Sequence, residues 1–232
     1  MSPIALHSPI SPRAYAPAPA PSPASSKALK EPTLFEDLAG SVSIGSAAAA
    51  IGITTSVVGI EAALPVAEAV IGQCSGASAV FAGLHFAMLS LAGLYASIAG
   101  SVAVGVIAGA RAMEAPNPGV LEKPAAAIRN GIAEVGAAQT CGEAARVGAR
   151  AGWTAGQTIG AVGGGLQGVF SGYSLGLWGA GLMGPSVGLG IAGAVAGAVV
   201  GGAALALGGR WVGGTVGAGL GAAAGAVEHV IR

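Results

Sequence analysis

Residues 148–176 read GARAGWTAGQTIGAVGGGLQGVFSGYSLG, and residues 193–225 read GAVAGAVVGGAALALGGRWVGGTVGAGLGAAAG. The first stretch has glycine at every fourth position: Gly148, Gly152, Gly156, Gly160, Gly164, Gly168, Gly172 and Gly176. The second repeats the spacing at Gly193, Gly197, Gly201, Gly209, Gly213, Gly217, Gly221 and Gly225, with Leu205 where one glycine is missing. The runs mirror each other about Gly184-Pro185, so that Gly176 matches Gly193, Gly172 matches Gly197, Gly168 matches Gly201 and Gly160 matches Gly209. Proline cannot continue a helix and glycine accepts an αL cap, so the chain is expected to turn there. The spacing predicts an antiparallel helical hairpin with a glycine zipper.

Energetics indicate which solvent suits this hairpin. A glycine costs a helix about 1 kcal/mol relative to alanine, so one arm loses roughly 8 kcal/mol. In water the arm has no charged face and few large side chains to offset that loss. In lipid, unpaired backbone groups have no alternative partner, and small residues let two backbones approach closely. From Ala151 to Gly209 there is no Asp, Glu, Lys, Arg or His. One crossing needs ~20 apolar residues, so this stretch suits two. Trp153 and Trp211 at the open end, and Trp178 near the turn, are expected as membrane-interface anchors. A four-residue step advances a helix by about 400°, so the stripe drifts roughly 40° per step. Either the arms cross steeply in the right-handed sense, or the stripe meets different neighbours at different depths.

Composition supports the same class. Apolar residues make up 53%, charged residues 9% and glycine 42 of 232 positions, with mean hydropathy +0.74. Soluble domains carry about 25% charge. Formal net charge is zero, which leaves no electrostatic footprint for nucleic acid. The expected fold is an all-α membrane protein of two helical hairpins, about four transmembrane helices, with the lipid bilayer as its first partner.

Residues 1–33 differ in kind. Pro17-Ala18-Pro19-Ala20-Pro21-Ser22-Pro23 is followed by Ser25-Ser26, and no acid precedes Glu31. Such a segment is expected to be extended and disordered. It lacks the apolar core of a Sec signal. Its Ser/Pro-rich, acid-poor composition resembles the N-terminal signals of bacterial type III secreted effectors, and it overlaps with organellar transit peptides. The effector resemblance implies export, a secretion chaperone and a host target.

Residues 34–112 are expected to form the first hairpin. Glu36 and Asp37 suit a helix first turn, and Glu61, Pro65 and Glu68 read as a polar break. Gly59 with Gly76 and Gly52 with Gly83 are equidistant from position 67.5, which suggests a second mirror. Residues 113–147 read as a polar connector. Pro116-Asn117-Pro118-Gly119 signals a loop, and Pro124 opens an amphipathic helix with Arg129 and Glu134. Residues 148–232 form the zipper hairpin. Basic residues gather before the first span, in the connector and at Arg232, so both termini and the middle are expected on one side.

Catalytic chemistry has little to draw on. No His/Cys/Asp cluster is evident, so neither a metal site nor a cofactor is expected. Gly72-Gln73-Cys74-Ser75-Gly76 lacks the strand and base of a nucleophile elbow. Cys74 and Cys141 read as free thiols, and His85 as a histidine satisfied by a neighbouring helix, with a proton-linked role as the sharper alternative. Glycine stripes also recur in oligomerising, membrane-active toxins. The expected function is a secreted effector or toxin-like protein, no enzyme, acting in a host membrane by residence, homo-oligomerisation or binding a host membrane protein. The alternative is an integral membrane scaffold or translocase-like component of an organelle or bacterial inner membrane. Its length and glycine-rich crossings resemble the mitochondrial inner-membrane translocase family, but that family's Arg-x-x-x-Asp motif is missing.

Overall fold

A computed structural model describes residues 34–116 and 118–231, with side chains placed from residue 43 onward. The leader, and the secretion signal expected in it, lie outside the described residues. No strand occurs among the described residues.

Helix α1 runs Leu34–Ile71 and α2 runs Ala77–Met113. The polar break expected at Glu61, Pro65 and Glu68 is not a turn, because Pro65 lies inside α1. A proline frees one carbonyl of the preceding turn, and here the helix continues through that loss. The chain reverses instead at residues 72–76. Gly72 N donates to Glu68 O at 2.8 Å, Cys74 N donates to Ile71 O at 2.9 Å, and Gly76 takes φ 57°. The mirror therefore moves. Gly105 packs on Ala48, Gly109 on Ile44 and Gly45 on Val106, whereas Gly83 has only Ile71 at 4.0 Å and Gly76 faces open space. Neither Gly59–Gly76 nor Gly52–Gly83 is a contact.

Helix α3, Glu122–Ala137, occupies the connector and ends before α4, Cys141–Met183. Thr140 caps α4, since its Oγ1 accepts from Glu143 N at 3.1 Å while Glu143 Oε2 accepts from Gln139 N at 3.0 Å. Helix α5 spans Val187–Ile231. Between α4 and α5, Gly184 has φ 151° and ψ 155°, a conformation essentially confined to glycine but not the αL cap expected.

Helices α1 and α4 run one way, α2 and α5 the other. Both interhelical turns, 72–76 and 184–186, share one end of the bundle, and α3 closes the other. Among the described residues α4 alone packs against all four other helices. Large side chains are few in the core: Ile51 and Ile159 with Ala48 form one cluster, Phe86 with Ala63 and Ala67 another.

Three stretches are long and apolar enough to cross a membrane: Ser43–Ile71, Ala77–Met113 and Val187–Ile231. Helix α4 is not among them, which departs from the expectation of about four transmembrane helices. Its glycines and its Gln157, Gln167, Ser171 and Ser174 lower its hydropathy. Gln167, Ser171 and Ser174 are buried against the other helices.

Candidate functional site: a glycine-faced helix pair and a polar seam

Glycine lets α4 and α5 meet backbone to backbone. A Cβ built on Gly148 would overlap the carbonyl oxygen of Gly221, and one on Gly221 would overlap that of Gly148. The same reciprocal relation joins Gly152 with Gly217, Gly156 with Gly213, Gly160 with Gly209, Gly168 with Gly201, Gly172 with Gly197 and Gly176 with Gly193. Gly164 meets the carbonyl of Leu205, and Gly225 meets that of Ala144. Cα–H groups on each helix thus point at carbonyl oxygens on the other, a weak contact repeated at every turn. The stripe keeps one partner over its whole length, about 42 Å from Gly148 to Gly176. A contact line repeating every four residues rather than 3.6 stays on one partner only if the pair winds right-handed.

The tryptophans mark two levels. Trp153 and Trp211 stack edge to face at 5.8 Å and 73°, with Trp153 packed on Gly214. Trp178 sits near the turn, where its Nε1 donates to His85 Nδ1 at 3.1 Å. Ser174 Oγ also lies 3.1 Å from that nitrogen. Indole N–H is only a donor, so Nδ1 is the acceptor and the ring proton sits on Nε2. His85 is therefore held by α4, and Pro185 follows the turn glycine between α4 and α5.

Charge limits the depth of any slab. Arg210 follows Gly209 and is level with Ile159. Glu61 lies two residues after Gly59, whose nearest neighbours include Gln167, and is level with Val169. Both side chains are exposed. They stand about ten residues, ~15 Å, apart along the bundle.

A second face of α4, one residue before the glycine line, carries Gly163, Gln167 and Ser171, then Ser174. Sequence reasoning missed it, because isolated serines resemble small packing residues. Ser97 Oγ donates to Gly52 O at 3.1 Å, Ser101 Oγ to Ile159 O at 3.4 Å and Gln167 Nε2 to Ser90 O at 3.4 Å and Ser171 Oγ at 3.0 Å. These bonds join α1, α2 and α4 in one polar seam. Also missed was the capping role of Arg129 on α2: Nε and Nη2 donate to the Ala112 and Arg111 carbonyls, each at 3.1 Å, and Nη1 pairs with Glu122 at 3.2 Å.

Cys74 and Cys141 are both free thiols, at opposite ends of the bundle. Gly72–Gly76 forms the turn between α1 and α2, and Gly163–Gly165 lies within α4. Among the described residues no group of three His, Cys, Asp or Glu is placed to hold a metal. Comparison with protein-family models, curated proteins and solved structures returns no match.

Proposed function

We propose that this chain inserts into a host membrane as a secreted bacterial effector or toxin-like protein, and that it acts by residence and helix contacts. The observation that carries membrane residence is the exposure of large apolar side chains on helices of spanning length. Val80, Phe81, Leu84, Met88, Leu91 and Tyr95 on α2 are all more than half exposed. A soluble monomer rarely shows so continuous an apolar face. Lipid covers it, and α4 crosses as the sheltered centre, its glycine line closed by α5 as a zipper. A hydrocarbon core of about 30 Å then requires Arg210 and Glu61 to extend toward opposite headgroup layers. Oligomerisation or a host membrane partner uses the outward faces of α2 and α5, because the glycine line is already filled.

Delivery rests on the acid-poor composition of residues 1–33. Expression in a secreting bacterium, with carbonate extraction of recipient membranes, tests both parts. Full-length protein is expected in the carbonate-resistant recipient fraction, and a chain lacking residues 1–30 is expected to remain in the producer. A carbonate-soluble product would refute insertion. A resistant product never exported would replace the effector reading by an integral scaffold.

A further inference from the structure

The seam between α1, α2 and α4 contains polar atoms that the protein itself does not satisfy. Gln167 is fully buried, its Nε2 is bonded, and its Oε1 has no hydrogen-bond partner among the described residues. Ser56 Oγ and Ser90 Oγ share that condition, at 0% and 5% exposure. The seam's contacts place Gln167 beside both α2 and α1. Gln167 reaches the Ser90 carbonyl, and Gly59, one turn beyond Ser56 on the same face, has Gln167 Cγ as a neighbour. An unpaired buried polar atom costs about 1–3 kcal/mol, so three of them in one seam call for an occupant.

The chemistry of these atoms specifies the occupant. Gln167 Oε1 only accepts, so the occupant must donate; the two hydroxyls do either. Asp, Glu, Lys and Arg are missing from the segments that line the seam, residues 52–59, 90–101 and 163–174, so a cation would have no countercharge there. Gly93 adds no side chain beside Gln167 Oε1. A single Cβ on Gly93 would come within 2.8 Å of Gln167 Oε1. A neutral donor–acceptor such as water meets both conditions.

We propose that the α1–α2–α4 seam binds internal water at Gln167 Oε1, Ser56 Oγ and Ser90 Oγ, while the α4–α5 contact is dry. The seam is buried within the protein, so the site does not depend on whether lipid or water surrounds the bundle.

Water-edited solid-state NMR on the full chain in lipid vesicles tests this. Magnetisation from water is expected to reach the Gln167 side-chain amide far sooner than the Ala48 methyl, which is 0% exposed in an apolar cluster. Build-up at Gln167 as slow as at Ala48 would overturn the proposal. A second measurement needs only thermal unfolding. Deleting a dry, unpaired hydroxyl raises the melting midpoint, whereas deleting one that holds water lowers it. Ser56→Ala is therefore expected to lower the midpoint, and a rise would overturn the proposal even if the NMR label were poorly resolved.

Discussion

Leu205 Cδ1 lies 3.0 Å from the point where a Cβ on Gly59 would stand. Leu205 is the one residue in the α5 register that is not glycine, and its backbone still meets Gly164 as a glycine would. Its side chain leaves the α4–α5 line and fills the notch on α1. The irregular position thus ties the glycine pair to the first hairpin. Leu205→Ala is expected to cost about 2 kcal/mol, the low end for a leucine because the side chain is only half-buried. Leu205→Gly should complete the stripe yet loosen α1 further. Chemical unfolding in detergent checks both, and a Leu205→Gly chain more stable than the parent would contradict this account.

Arg129 offers a test at the other end. Its guanidinium caps α2 while its own helix is α3, so it fixes the connector to the bundle. Hydrogen bonds from a charged donor contribute about 1.5–3 kcal/mol, less where solvent screens them as here. Arg129→Met keeps the aliphatic stem and removes the cap. Protease cleavage in the loop at residues 114–121 should rise several-fold without loss of the α4–α5 contact. Unchanged cleavage would mean α3 is held by packing alone.

The parts of this fold that sequence reveals are those where spacing itself encodes contact. Glycine every fourth residue on two arms leaves few other ways to bring backbones together, and Gly184-Pro185 punctuates them. Thr140-Cys141-Gly142-Glu143 also has the T-x-x-E form of a capping box and was open to the same reading. The first hairpin forms where expected but turns later, because Pro65 is a strong breaker in isolation, whereas packing of Ala63 and Ala67 around Phe86 carries α1 past it. The seam was hidden for a different reason. Ser90, Ser97 and Ser101 are small enough to pass as packing residues, and only the three-dimensional position of Gln167 shows what they share.

The cap on α4 can be weighed by itself. Thr140→Ala removes the acceptor of Glu143 N and should cost about 1 kcal/mol. Thr140→Ser should retain most of it. Hydrogen exchange in the first turn of α4 is the measurement, and protection equal in Thr140→Ala and wild type would show the cap to be idle.

The two native thiols report topology without engineering. Cys141 is exposed beside α3, and Cys74 lies in the α1–α2 turn at the opposite end. If the bundle crosses a bilayer as proposed, an impermeant maleimide should label Cys141 from the side of the connector and Cys74 only from the other. Cys74→Ser and Cys141→Ser chains assign the signals. Labelling of both from one side would exclude a transmembrane bundle with this helix order.

Gly168 and Val169 are adjacent on α4 yet face different surroundings. A Cβ on Gly168 would overlap the Gly201 carbonyl, backbone that cannot swing aside, whereas Val169 is 41% exposed and beside Gly202. Gly168→Leu should therefore separate the helices and cost at least about 3 kcal/mol. Val169→Leu should stay within about 0.5 kcal/mol of the parent. Alanine at 168 regains up to about 1 kcal/mol of helix propensity, but its methyl meets the same carbonyl, so a net loss is expected. Crosslinking gives the register directly. Cysteines at 169 and 202 should join, because a Cβ on Gly202 would lie 2.9 Å from Val169 Cγ2. Cysteines at 169 and 218, about 24 Å further along α5, should not. Equal yields for the two pairs would mean that the helices slide past one another and that the four-residue spacing does not set their register.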